Sequence, residues 1–69
     1  MDKEIYKQTL QAFSTQINDL MGGVEAFQKE CRAAKKKDWV TTLKFVLHHL
    51  EQADINLCVD IQAIEEGDY

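Results

Sequence analysis

The side chains able to do covalent or metal chemistry are few in this 69-residue chain: His48, His49, Cys31 and Cys58. Adjacent histidines on a helix project about 100° apart, so His48 and His49 cannot close on one ion from one face. No Glu-x-x-His or His-Glu-x-x-His spacing accompanies them. A di-iron bundle needs inward glutamates and histidines, whereas the inward seams described below are almost wholly apolar. Neither cysteine has a histidine at a spacing that implies thiolate activation, and there is no glycine-rich phosphate loop. The chemistry on offer is association, and no catalysis, metal or cofactor is expected. His48 is assigned instead to an interface. Trp39, the single tryptophan, follows Lys35, Lys36 and Lys37. It reads as a lid on the apolar seam or as an anchor for a partner, because tryptophans are frequent interface hot spots.

The elements that must position these residues are two helices. Apolar side chains fall at Tyr6, Leu10, Phe13, Ile17, Leu20, Val24, Phe27, Cys31 and Ala34, alternating by four and three as a heptad seam does. Lys7, Gln11, Ser14, Asn18, Glu25, Gln28, Lys29 and Arg32 fill the opposite face. The spacing predicts a helix over about 3–36. Gly22 and Gly23 cost about 1 kcal/mol each relative to alanine, yet the seam keeps its phase across them, and a loop would shift it. They read as a tolerated weak point or as a place where another backbone approaches closely.

Lys35, Lys36 and Lys37 suit the end of this helix, and Asp38 suits the N-cap of the next. A tip at 37–38 this short predicts an antiparallel neighbour, running over about 39–66 with Gly67 as its C-cap. The second seam is Val40, Leu43, Leu47, Leu50, Leu57, Ile61 and Ile64, flanked by Val46 and Ala53, and only Asp54 breaks its pattern. Pairing residues whose numbers sum to roughly 74 sets Cys58 about 22 Å along the axis from Cys31 at 1.5 Å per residue. That separation forbids an intrachain disulfide, and both cysteines read as small, partly buried hydrophobes. The expected fold is all-α: one antiparallel two-helix hairpin over residues 1–69.

A hairpin this small is marginal alone, because ordering it costs roughly 1.5 kcal/mol per residue against a small core. Without a disulfide or metal, oligomerisation remains. Phe45, Ile55 and Val59, with His48 and Gln52, cluster on the side of the second helix away from its seam, while the first helix shows no comparable second stripe. This stripe is expected to serve a homodimer, a four-helix assembly with the second helices near its centre, or a different protein. Residues 1–37 carry seven basic and five acidic side chains, a net +2, and residues 38–69 carry one and seven, a net −6. Head-to-tail protomers would then place the basic tip by the acidic end formed by Glu65, Glu66, Asp68 and the terminal carboxylate. Glu65 and Glu66 also sit where the helix dipole disfavours negative charge, as a solvated terminus or as an acidic patch for a basic partner.

The overall charge of −4 argues against nucleic acid. The start Met1-Asp2-Lys3-Glu4 lacks the apolar core of a secretory signal, and the longest strictly apolar run, Phe45-Val46-Leu47, is far too short for a membrane span. A reducing cytoplasm is expected, the host's if the chain is phage-encoded. The expected function is that of a small interaction protein that binds a larger protein and inhibits or chaperones it. Trp39, or Phe45, His48, Gln52, Ile55 and Val59, would occlude a surface the target needs. Chains of this size and architecture are frequent among phage and plasmid antagonists of host regulators, and some secretion-system co-chaperones share the outline. The architecture also resembles the Rop family of plasmid copy-control proteins, short acidic hairpins that dimerise and bind RNA. The resemblance covers nearly the whole chain in outline, with no motif that transfers residue by residue. It implies RNA contacts through Lys3, Lys7, Lys29, Arg32 and Lys36.

Overall fold

A computed structural model describes residues 2–67 as two helices, α1 (Lys3–Ala33) and α2 (Lys37–Glu65), with no strand among them. Asp68 and the terminal carboxylate of the expected acidic end lie outside the described residues. The helices lie side by side as an antiparallel hairpin, a rod of 49 × 15 × 15 Å. No described helix is long and apolar enough to cross a membrane.

Asp2 caps α1, its carboxylate accepting from the Glu4 amide at 3.0 Å, and Glu4 adds an acidic side chain to the positive end of the dipole. The helix then runs unbroken through Gly22 and Gly23. Nothing lies within 4 Å of where a Cβ would stand at either glycine, so neither admits a close backbone within the chain. The turn that ends α1 is made at Lys35, whose φ of 60° is left-handed. The amides of Lys35 and Lys36 bond back to the carbonyls of Arg32 and Cys31 at 3.0 and 2.9 Å, the paired pattern that closes a helix with a left-handed residue. This reversal is tight enough that α2 begins at Lys37, with Lys36 as an N-cap that supplies no side-chain bond. Asp38 is therefore not the expected cap; it sits inside the first turn and acts on the dipole only. Gly67, with φ 81°, closes α2 through a 3.1 Å bond to the Ile64 carbonyl.

The α2 seam lies where its spacing places it, with Val40, Leu43, Leu47, Leu50, Asp54, Leu57, Ile61 and Ile64 all half-buried. On α1 the inward set differs from expectation. Leu10 and Cys31 are buried and Ile17 and Val24 half-buried, but they alternate with Ser14, Met21 and Gln28. Tyr6, Phe13, Leu20 and Phe27 are left 36%, 48%, 54% and 51% exposed. Half of the seam has moved by one residue, a rotation of about 50° when each residue turns 100°.

The cause is Asp54. A carboxylate in the seam must be hydrogen-bonded or it costs free energy, and the expected seam residues nearest it, Phe13, Ile17 and Leu20, have no side-chain donor. Turned as found, α1 supplies two: Ser14 Oγ donates to Asp54 Oδ1 at 2.5 Å and Asn18 Nδ2 to Oδ2 at 3.3 Å. Gln28 Nε2 donates to the Val40 carbonyl at 3.2 Å near the tip. At the open end Tyr6 Oη donates to Asp60 Oδ2 at 2.6 Å, and Lys7 Nζ lies 3.4 Å from Glu65 Oε1. Across these pairs the residue numbers sum to between 66 and 72, not 74, so the helices sit in a shifted register.

Candidate interaction sites

The hairpin so packed presents three surfaces. The first is the side of α2 that points away from α1. Phe45, Gln52 and Val59 repeat every seven residues along it, with His48 and Ile55 on the adjoining line; Phe45 is 60% exposed, Ile55 46% and Val59 62%, and His48 and Gln52 are exposed as well. From Phe45 to Val59 the stripe is about 21 Å long at 1.5 Å per residue. These five residues share a side. The His48 and His49 rings meet edge to face, 5.8 Å between centroids and tilted by 62°, and no three His, Cys, Asp or Glu side chains converge among the described residues.

The second surface is the flank along the line where the helices meet, and the sequence reading missed it. Tyr6, Phe13, Leu20 and Phe27 repeat every seven residues on α1; Trp39 and Val46 begin the matching line on α2, which continues through Ala53 to Asp60. The two lines border the same side of the hairpin, since Tyr6 bonds Asp60 at one end and Phe27 and Trp39 line one shallow pocket with Thr42 and Leu43 at the other. Trp39 belongs here, 55% exposed, and so stands apart from the Phe45 to Val59 stripe. Lys36 Nζ lies 5.3 Å from its ring centroid, within cation–π range. At the other end the Asp60 carboxylate accepts the phenolic proton of Tyr6. That bond, with lost hydration and the nearby negative charge, holds the Tyr6 pKa above its ordinary 10.0.

The opposite flank, the third surface, is polar. Gln11, Ser14, Thr15, Gln62 and Glu65 border a groove there together with Cys58. Cys58 is exposed instead of partly buried, because the register and rotation of α1 place no cover over it, while Cys31 is buried; both thiols are free. The hairpin tip gathers Arg32, Lys35, Lys36 and Lys37, all exposed, and the other end presents exposed Glu65 and Glu66. No basic residue stands in the last turn of α2 to offset them.

A signal for the missed flank was present in the sequence. Asp54 in an otherwise apolar seam calls for a donor opposite, and Ser14 lies one residue from Phe13. No known protein family, curated protein or solved structure matches the chain.

Proposed function

We propose that this chain is a non-catalytic interaction protein, a homodimer of hairpins that binds a larger protein and inhibits or chaperones it by covering a surface that protein needs. The observation that carries the reading is the outer stripe of α2, where Phe45, Ile55 and Val59 stand 60%, 46% and 62% exposed on one side. Fully burying a side chain of this kind contributes about 1.5–3 kcal/mol; the exposed portions of three together supply several, and His48 and Gln52 between them add polar specificity. The two free thiols fit a reducing cytoplasm, the host's for a phage-borne antagonist.

The RNA-binding alternative has weaker support. Of its five cations, Lys7 pairs with Glu65 and Lys36 lies over Trp39, so they do not act as one free basic face. A titration with mixed RNA should find no association at low salt, where phosphate contacts are strongest.

The protein-binding reading is tested by capture from extracts of the source cells with wild type, Ile55→Asp and Val59→Asp side by side, each verified helical by circular dichroism. A partner held by wild type and lost with both variants supports it. Identical retention by all three removes the stripe from the account.

A further inference from the structure

We infer that the flank formed by Tyr6, Phe13, Leu20 and Phe27 of α1 with Trp39 and Val46 of α2 is the face on which a second copy of this chain docks, antiparallel to the first. The inference rests on the homodimer reading above and specifies its surface, which is not the stripe the sequence pointed to.

Area is the first argument. A compact monomer of 8.0 kDa exposes about 4,450 Å² by the scaling of surface with mass. This hairpin exposes 5241 Å², an excess of roughly 800 Å², which is what each partner contributes to a standard specific interface. Among the described residues only Leu10 and Cys31 are buried within the chain, which leaves much apolar surface to be covered from outside. The flank is where that cover fits. Its α1 line alone runs about 32 Å at 1.5 Å per residue. Ala53 on the α2 line, with Ala12 and Ala26 beside the α1 line, is small enough to let facing helix axes close to about 8–10 Å.

Charge decides the direction. A two-fold axis across the rod lays Arg32, Lys35, Lys36 and Lys37 of one copy beside the Glu65 and Glu66 end of the other. An axis along the rod would put tip against tip, like on like. Exposed pairs are screened and weak, so they set orientation more than strength. With the axis crossing near the middle of the α1 line, α1 packs on α1: Tyr6 meets Phe27 of the partner subunit, and Phe13 meets Leu20 of the partner subunit. The resulting four-helix bundle covers the flank and leaves the Phe45 to Val59 stripe open, about 100° or more around α2 at 100° per residue. The dimer thus carries two target surfaces.

Two sets of variants test this. Sedimentation equilibrium should find wild type dimeric, and Leu20→Asp should raise the dimer dissociation constant about 100-fold or more, since each interface would bury the new charge twice without a partner. Because a released hairpin can also unfold, the second set leaves the core untouched. In a Cys58→Ser background, exposed Gln16, beside the middle of the α1 line, is changed to cysteine, and Gln52 on the outer stripe is changed separately. Under mild copper-phenanthroline oxidation Gln16→Cys should cross-link rapidly across the two-fold axis and Gln52→Cys should not. Cross-linking of Gln52→Cys alone, with wild type dimeric, overturns the assigned face and leaves the homodimer standing. A wild type that sediments as a monomer at every concentration overturns both.

Discussion

Asp54 is held responsible above for the rotation of α1, and that can be measured through its bond to Ser14. A hydrogen bond to a charged group contributes about 1.5–3 kcal/mol. Ser14 and Asp54 are both half-buried and the bond is 2.5 Å, so the low end applies. The Asn18 bond, longer at 3.3 Å and exposed, adds little. Ser14→Ala should therefore cost about 1.5 kcal/mol, a fall in Tm of roughly 6–12 °C for a domain of this size. Asp54→Ala should cost somewhat less, because it also relieves the desolvated carboxylate. The double variant should lose little beyond either alone, giving a coupling energy of about 1 kcal/mol or more. The assay is urea denaturation followed by far-UV circular dichroism at one protein concentration, since assembly feeds into apparent stability. A coupling within about 0.3 kcal/mol of zero, the scatter of independent sites, would refute the argument that this pair selects the packing. Asp54→Leu carries the reasoning further. With no carboxylate to satisfy, α1 is free to turn Phe13, Leu20 and Phe27 inward, and the second copy should be lost along with the flank.

Gly22 is helical with open space where a Cβ would stand, so Gly22→Ala should stabilise by about 0.8–1 kcal/mol, read as a higher Tm. Lys35 holds a left-handed φ of 60°, and Lys35→Gly should also stabilise, by a few tenths to about 1 kcal/mol, read again as a higher Tm, as the steric cost of a side chain there disappears. Exposed Cys58 should react with Ellman's reagent within mixing time while buried Cys31 reacts only as the helices separate; equal rates would contradict the seam. Tyr6 should ionise above 10.0 in an absorbance titration, identified by its loss in Tyr6→Phe, and Asp60→Asn should lower it. Because this pKa is raised in the folded chain, the stability it contributes is complete below pH 10 and is lost as pH rises through the elevated value.

The two helices could be read in the sequence because each satisfies a heptad pattern over its whole length and glycines at 22 and 23 left the phase intact. The face of α1 could not be read the same way. Leu10, Ile17, Val24 and Cys31 belong to two seams of identical four-three spacing, one with Phe13 and Leu20 and one with Ser14 and Met21, and apolar counting favours the first. Packing took the second, in which Ser14 and Asn18 of α1 reach Asp54. The outer stripe was legible because no seam competed for Phe45, Ile55 or Val59. The tip was misjudged at Asp38 because the left-handed turn came from a lysine, a residue that pays for that conformation and so gives no warning of it.

A rod in which, among the described residues, Leu10 and Cys31 alone are dry has little interior to hold it shut when a copy is single. Local opening then costs little, and cleavage by cellular proteases follows the population of open chains. On the proposed pairing, solitary hairpins would be cleared quickly and paired ones spared. Supply in the cell would therefore act like a threshold, with slow synthesis yielding turnover and a burst of expression yielding lasting product.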